Sequence, residues 1–413
     1  MASTNEILAG TPAPEILDDR IWVDGCWDFF HHGHAGAMLQ ARQLGTELYV
    51  GVHSDEDILD NKGPTVMTLQ ERLAAVDACR WVTKSVSHAP YVTQLDFISH
   101  YGCKYVVHGD DITSDSGGED CYRFVKAAGR FKSLEKVLAG DEGHGTESER
   151  KAEGDAMSKR IQQYATDASG KNPGADVWFW SASQAAKAEA GEEEKGSFRQ
   201  FLKGAGPQPG QRVVYVDGGF DLFSSGHIEF LRLVVEAEES LARKEGWYDQ
   251  QAVDERKGKG GDYGPLHDDE VINQWKGVNY PIMNIYERSL CVLQCRHVNA
   301  VIYGAPFSPT KAYLTASPWG TPDAVYHGPT SFMPLSYDPY EAPKQMGIFQ
   351  EISQHLFQGV NAGTIVQRIM ESRALYEERQ RKKGMKATVE GAAREREILE
   401  EEQRRKEENM SKP

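Results

Sequence analysis

The chain has 413 residues, a formal net charge of −16 and a sequence pI near 5.3. This length is enough for two or three domains with sizeable cores. The acidic balance argues against a nucleic-acid partner, because nucleic-acid phosphates require a basic face. The N-terminal stretch lacks the basic and apolar regions of a signal peptide. No apolar run approaches the ~20 residues that a membrane-spanning helix needs, so we expect no transmembrane segment.

The first strong signal along the chain is a strand–turn–helix pattern at 21–44. Residues 21–23 form an apolar run that is typical of a short buried strand, and a helical pattern occupies 35–44. The strand ends at Asp24-Gly25, and three histidines and a glycine precede the helix: His31, His32, Gly33 and His34.

This histidine turn suits a phosphate group. A helix N-terminus offers unpaired N–H groups and a partial positive charge. Gly33 lets a phosphate approach the backbone, and His31 and His34 can donate hydrogen bonds to it. Two alternatives stay open at this point: histidines that only pack, and a zinc site, although no acidic or cysteine partner lies at ligand spacing nearby.

Strands and helices alternate after this turn, which predicts an α/β fold with a parallel sheet and right-handed crossovers. We predict strands at 47–52, 82–86 and 105–107, and helices that begin near Ser54 or Asp55, at the Thr68 capping box and at 93. Ligands of such sheets lie at the carboxyl ends of the strands. That edge would hold Gly25, His53 and 108–111.

The second half of the chain repeats the first. Residues 213–227 repeat the opening stretch, and Glu287-Arg288 and Cys295-Arg296 repeat Glu71-Arg72 and Cys79-Arg80 at one constant offset. A period this long indicates tandem domains and not a solenoid. The residues that match site positions of the first repeat are Gly219, Phe220, Gly226, His227, Lys276 and Arg288.

Composition marks the domain boundaries. Residues 133–211 are rich in Gly, Ala, Ser, Glu and Lys, which predicts a flexible or weakly helical polar linker, with an apolar island at 177–180 that docks on a neighbouring domain. The tail begins amphipathic near Thr364 and becomes almost entirely charged, which predicts a solvated helix. We therefore expect domains at 20–132 and 212–375, the linker between them, and a charged helical tail at 376–413.

Six cysteines are scattered among apolar neighbours: Cys26, Cys79, Cys103, Cys121, Cys291 and Cys295. This usage predicts reduced thiols in the core of a cytoplasmic protein.

The paired strand–turn–helix units, with 31–34, 62–64, 71–72 and 89–91, resemble the cytidylyltransferase family. The tandem arrangement, with 279–284 and 366–369, resembles its ethanolamine-phosphate branch over about 21–131 and 212–383. The resemblance implies two Rossmann-like nucleotidyltransferase domains that form CDP-ethanolamine and pyrophosphate from CTP and phosphoethanolamine, a step of phosphatidylethanolamine synthesis. It is also compatible with a homodimer and with peripheral association with the endoplasmic reticulum.

The resemblance also implies residue roles in the first repeat. His31, His34 and Lys62 would be the catalytic residues, with Lys62 neutralising the α- and β-phosphates. CTP would be bound by Gly25, Cys26, Gly33, Arg72 and Asp110. Mg²⁺ would be carried mostly by the triphosphate, so no protein metal site is expected. Without the resemblance, Lys62 would be interpreted as solvated and Arg72 as part of a helix-surface ion pair.

Ethanolamine has a primary ammonium whose three N–H groups can donate hydrogen bonds to a carboxylate. The trimethylammonium of choline has no N–H donors. Asp28, Asp110 and Asp111 are the candidate acceptors, with Tyr91 and Trp27 as one wall. Alternatively, Asp110 and Asp111 only cap the helix that follows.

The second repeat is predicted to be catalytically degenerate. It has Ser224 where the first has His31, and no apolar strand precedes His267. The family segment Arg-Thr-x-Gly-Ile-Ser-Thr-Thr is also not found after Arg130. Three alternatives therefore stay open: an impaired nucleotide-binding or regulatory homologue, a choline-phosphate cytidylyltransferase, and a class I aminoacyl-tRNA synthetase. The signature of the synthetases also contains His-x-Gly-His, but the acidic net charge of this chain disfavours tRNA binding.

Overall fold

The first domain is built on a parallel sheet of five strands in the order β3-β2-β1-β4-β5. The structure, a computed structural model, describes residues 14–109, 113–134, 147–182, 196–207, 211–247, 262–266, 280–328, 337–381 and 384. The strands are β1 Leu17–Gly25, β2 Glu47–Val52, β3 Lys84–Ser87, β4 Cys103–Gly109 and β5 Phe131–Leu134. The chain order reverses at β1, so a crevice opens where β1 and β4 end.

Helices cross between these strands as the alternation predicts. They are α1 His32–Gln43, α2 Asp55–Lys62, α3 Leu69–Ala78, α4 Leu95–His100 and α5 Arg123–Ala127. Both predicted caps are present: Ser54 Oγ accepts the Asp57 N–H at 3.0 Å, and Thr68 and Glu71 cap each other's backbone N–H groups. These caps fix where α2 and α3 begin at the carboxyl edge of the sheet.

The second sheet has seven strands, in the order β12-β11-β8-β9-β10-β6-β7. Five of these strands, β10-β9-β8-β11-β12, are all parallel and repeat the order β3-β2-β1-β4-β5 of the first sheet. This repetition confirms the tandem α/β domains. The strands are β6 Asp176–Ala182, β7 Gly196–Leu202, β8 Val214–Val216, β9 Asp262–Leu266, β10 Ala300–Tyr303, β11 Ala324–His327 and β12 Phe349–Glu351. The helices are α6 Glu147–Tyr164, α7 Ser225–Lys244, α8 Ile285–Leu293, α9 Lys311–Thr315, α10 Glu341–Gln345 and α11 Ala362–Glu371.

The expectation that the second repeat lacks a strand before His267 is wrong. β9 lies between β8 and β10 and pairs in parallel with both. Its residues do not form an apolar run, but backbone pairing on two sides replaces the missing local signal.

The predicted linker at 133–211 also differs from expectation, because its described parts are folded. It supplies α6, and it supplies β6 and β7, which extend the second sheet beyond β10. The apolar island at 177–180 lies in β6 and packs on the second domain, as predicted, with Val177 fully buried. The β6 strand thereby covers an edge that β10 would otherwise leave unpaired.

The two domains contact each other through reciprocal bonds beyond the ends of α3 and α8. Cys79 and Cys295 form an antiparallel bridge. The Arg80 guanidinium donates to the Cys295 carbonyl at 2.8 Å, and the Arg296 guanidinium donates to the Cys79 carbonyl at 3.0 Å. Each domain therefore satisfies backbone carbonyls of the other.

All six cysteines are free thiols. Five are buried, which confirms their predicted place in the core, and Cys26 is part-exposed. Among the described helices, none is both long and apolar enough to cross a membrane.

Candidate active site

The turn between β1 and α1 has an unusual backbone. Trp27 and Phe29 have φ values of 57° and 49°, a region that non-glycine residues seldom adopt. Asp28 lies between them, and its carboxylate accepts the backbone N–H groups of Val66 and Met67, the latter at 2.9 Å. These bonds hold the strained turn against the loop that precedes α3.

The two predicted catalytic histidines lie together at the start of α1, with ring centroids 4.0 Å apart. Nδ1 of His31 accepts the Gly33 N–H at 3.0 Å, and Nδ1 of His34 accepts the His31 N–H at 3.4 Å. The proton of each neutral ring is therefore on Nε2. Burial lowers the pKa of His31 to about 4 and that of His34 to about 3. Both rings are neutral hydrogen-bond donors at pH 7.

Lys62 ends α2 on the same side of the sheet. Its Nζ lies 5.7 Å from the centroid of the Tyr91 ring, which is itself 5.2 Å from the His53 ring. Burial, and to a smaller extent the charge of Lys62, lowers the pKa of His34 and of His53. The structure thus places Lys62 beside Tyr91 and His53, where its charge acts on His34.

Arg72, predicted to bind CTP, forms hydrogen bonds within the protein. Its side chain is fully buried, and it donates to the carbonyls of Cys26 at 2.5 Å and His53 at 2.9 Å and to the Asp55 carboxylate at 2.7 Å. The guanidinium ties the ends of β1 and β2 to α2, so it does not present a free fork to a triphosphate. Gly25 also acts through its backbone, where its carbonyl accepts the His53 N–H.

Asp28 was predicted to bind the substrate ammonium, but its carboxylate has other partners. Besides the two backbone N–H groups above, it forms an ion pair of 3.1 Å with Arg379. Trp27, the predicted wall, is buried beneath the turn, where its Nε1 donates to the Gly51 carbonyl. Three predicted site positions lie outside the described residues: Asp110, Asp111 and Lys276.

Sequence analysis missed a buried carboxylate at the end of β1. Asp24 is 2% exposed, and it accepts hydrogen bonds from Trp22 Nε1 at 2.8 Å, Thr93 Oγ1 at 2.7 Å and the Tyr122 hydroxyl at 2.8 Å. All three donors are neutral, and the ion pairs of the described residues do not include Asp24. The recurrence of Asp-Gly as Asp217-Gly218 is the sequence signal that could have found it.

Known proteins are similar to this chain in sequence. Residues 22–163 match the cytidylyltransferase-like family model. An ethanolamine-phosphate cytidylyltransferase of Mus musculus is 37% identical over 395 residues, 89% of each chain. The protein of that name from Dictyostelium discoideum is 36% identical over 89% of this chain and 95% of its own. The chain belongs to the ethanolamine-phosphate cytidylyltransferase family. Choline-phosphate cytidylyltransferase A of Rattus norvegicus is 39% identical, over only 32% of this chain and 36% of its own.

The second domain of this family member builds the same turn. Phe220 and Leu222 have φ values of 47° and 45°, and Asp221 between them accepts the Met283 N–H at 2.9 Å. Arg288 donates to the Gly219 carbonyl at 2.5 Å, as Arg72 does to Cys26. The frame of the turn is therefore retained in both domains.

In the second turn, the glycine is packed against another part of the chain. A Cβ on Gly226 would lie 2.2 Å from the Val360 carbonyl oxygen, and Ser224 Oγ donates to that oxygen at 3.1 Å. His227 keeps the place of His34, with its Nδ1 accepting the Ser224 N–H at 3.2 Å. A Cβ on Gly33 would instead meet only the ring of His31. The two turns thus differ in what approaches their glycine.

Proposed function

We propose that this chain transfers the cytidylyl group of CTP to phosphoethanolamine in its first domain. An oxygen of the phosphate monoester attacks the α-phosphorus of CTP, the bond from that phosphorus to the β-phosphate oxygen breaks, and pyrophosphate leaves as CDP-ethanolamine forms. The observation that carries this proposal is the pair of neutral histidines, His31 and His34, at the start of α1 with Lys62 beside them. Membership of the family supports it.

The chain's contribution to such a reaction is positioning and charge stabilisation, because the reaction needs no protein nucleophile. The Nε2–H groups of His31 and His34 and the N-terminal N–H groups of α1 would donate to phosphate oxygens. The ammonium of Lys62 would neutralise the charge that builds on the leaving pyrophosphate.

Mg²⁺ is proposed to arrive with the triphosphate. Among the described residues, no group of three or more His, Cys, Asp or Glu side chains is arranged to hold a metal ion. The nearby Asp28 carboxylate is engaged by Val66, Met67 and Arg379. The described residues therefore do not fit a metal centre of their own, and no step is assigned to one.

The ammonium group of the substrate is proposed to bind near Asp24. This carboxylate lies at the carboxyl end of β1 with neutral donors around it, and its charge acts on the neighbouring His53. Tyr91 stands beside His53 at the same edge. An ammonium with three N–H donors can bond to this carboxylate, whereas a trimethylammonium cannot. A homodimer, association with the endoplasmic reticulum and a cytoplasmic location stay predictions of the sequence.

A competition assay tests the proposed reaction and its selectivity. The purified full-length chain is given CTP, Mg²⁺ and equal concentrations of phosphoethanolamine and phosphocholine, and CDP-ethanolamine is expected to dominate. Asp24→Asn should lower kcat/KM for phosphoethanolamine by ~10²-fold, the size of a lost charged contact. The matched variant of the second domain, Asp217→Asn, should leave it unchanged.

If calorimetry detects CTP binding and the assay detects no CDP-ethanolamine, the result favours a regulatory homologue. CDP-choline formed as fast as CDP-ethanolamine, or equal effects of the two variants, would refute the ammonium site.

A further inference from the structure

The C-terminal arm, residues 361–381, leaves the second domain and lies on the first. It consists of α11 and a further helical stretch at 373–381. The charged tail was predicted to be solvated, but its described part contacts the first domain. Ile365 of α11 is fully buried and packs with Met67 and Val360 between the two turns.

The arm first contacts the capping residue of α3. Arg368 donates to both oxygens of the Glu71 carboxylate, at 2.8 and 2.9 Å. Glu71 is 5% exposed, and the same carboxylate accepts the Thr68 N–H. Burial alone would raise the pKa of Glu71, but the hydrogen bonds from Arg368 and Thr68 lower it. A bidentate pair with one buried partner is stronger than a surface pair.

The arm then contacts the segment 62–68, which we name the Lys62 loop. The Tyr376 hydroxyl donates to the Thr65 carbonyl at 3.2 Å. Arg379 donates to the Pro64 carbonyl at 2.7 Å and to the Asp28 carboxylate at 3.1 Å.

At its closest approach the arm lies against Gly63. A Cβ on Gly63 would lie 3.3 Å from Cβ of Arg379, and the φ of Gly63 is 96°. One arginine therefore links the Lys62 loop to the turn that carries the histidines.

This linkage matters because Lys62 is exposed at the end of a short helix. An exposed lysine side chain has many accessible conformations, and its contribution to a transition state depends on how well its backbone is held. Asp28 and the arm both donate to or accept from the backbone of the Lys62 loop, and Thr65 also donates to the Asp55 carboxylate at 3.3 Å. The second domain thus contributes, through the arm, side chains that contact the Lys62 loop and the turn of the first domain.

We propose that Arg379 and Arg368 are positioning residues, through which the C-terminal arm holds the Lys62 loop in the conformation that binds phosphate. The proposal rests on the proposed function in so far as Lys62 acts on CTP. The second domain, on this proposal, acts in catalysis by carrying the arm and not by binding substrate.

Paired variants of the full-length chain test the kinetic role of the arm. Arg379→Ala should lower kcat by ~10-fold through lost preorganisation, with KM for phosphoethanolamine changed by less than about twofold. Arg373→Ala removes the same charge from the same helix, where Arg373 pairs with Glu377 on the exposed surface, and should leave kcat unchanged. Arg379→Lys should recover part of the lost rate, because the charge opposite Asp28 is kept.

A double variant separates positioning from a merely structural role. If Arg379 acts through Lys62, Lys62→Ala with Arg379→Ala should be no slower than Lys62→Ala alone. If the rate losses of the two single variants multiply in the double variant, the proposal is overturned. An unchanged kcat in Arg379→Ala would overturn it as well. Should Arg379→Ala fail to fold, Tyr376→Phe, which removes one hydroxyl, carries the same test with a smaller expected loss.

Hydrogen exchange of the free protein gives a readout that needs no activity. Amides of the Lys62 loop should exchange ~10-fold faster in Arg379→Ala than in Arg373→Ala, because local opening is easier without the arm. If the wild type forms no CDP-ethanolamine, the proposed function fails, and exchange alone decides about the arm. Equal exchange in the two variants would then refute the arm's role.

Discussion

At the scale of single residues, burial sets the charge of the site before any substrate arrives. The pKa of His34, lowered to about 3, lies below the value near 6.5 of an unfolded histidine. The unfolded chain therefore binds more protons than the folded one between these values, and folding stability falls as the pH falls through that window. On the proposed function, the neutral histidines donate hydrogen bonds to phosphate at neutral pH, and Lys62 brings the positive charge.

Replacement of Lys62 tests this division of roles. Lys62→Ala should lower kcat by ~10²-fold, the size of effect seen when a transition-state donor is removed. The melting temperature should change little, because the side chain is exposed. Lys104→Ala, which removes a part-exposed lysine paired with the exposed Asp18, serves as the control and should change neither quantity. Unchanged turnover together with a lowered melting temperature would mark Lys62 as structural.

At the scale of elements, one turn is built twice from the same parts and used differently. In both domains the turn contains residues with positive φ values, and an aspartate between them accepts two backbone N–H groups. A side chain also caps the helix that follows in both domains. The difference lies in the glycine. In the first domain only the His31 ring is near a Cβ on Gly33, whereas in the second the Val360 carbonyl would be 2.2 Å from a Cβ on Gly226.

Replacement of the glycine by alanine should therefore mainly lower stability in the second turn and mainly lower turnover in the first. Gly226→Ala forces a backbone shift and should lower the free energy of unfolding by about 1–3 kcal/mol with little direct effect on kcat. Gly33→Ala displaces the His31 ring, so it should lower kcat by ~10-fold at a smaller loss of stability. Urea unfolding and initial rates measure the two quantities. A Gly226→Ala protein as stable as wild type would show that Val360 does not fill the second turn.

At the scale of the whole molecule, the domains are joined by arginines that satisfy backbone carbonyls across the interface. Besides the Cys295 carbonyl, Arg80 donates to the Val298 carbonyl at 2.6 Å, and Arg296 donates to the Val82 carbonyl at 2.7 Å. Burial lowers the pKa of Arg80, as expected for a cation that neutral carbonyls hold. The orientation of the arm relative to the Lys62 loop depends on this joint.

Removal of one of these arginines should loosen the joint. Arg80→Ala should lower the free energy of unfolding by about 1–3 kcal/mol, because carbonyls at the interface lose their donor. Arg232→Ala, on a helix surface with Glu229 and Glu236, should cost less than about 1 kcal/mol. Chemical denaturation measures both, and kcat should fall only in Arg80→Ala. Equal stabilities of the two variants would refute the role of Arg80.

The sequence by itself determined most elements of the first domain, the tandem organisation and the histidine turn, because these depend on local signals. The Thr68 capping box and the apolar run before Asp24 act on neighbouring residues, and the repeat needs only comparison of the chain with itself. The position of His31, His34 and Lys62 at one edge of the sheet follows from the alternation of strands and helices.

Only the tertiary structure decided which polar groups remain available to a ligand. Arg72 and Asp28 were predicted to meet substrate, but loop backbones at the sheet edge have carbonyl and N–H groups that need partners, and these two side chains supply them. β9 likewise forms because strands on both sides pair with its backbone. A contact between Arg379 and Asp28 has no local signal, since it joins residues from opposite ends of the chain and depends on how the two domains pack.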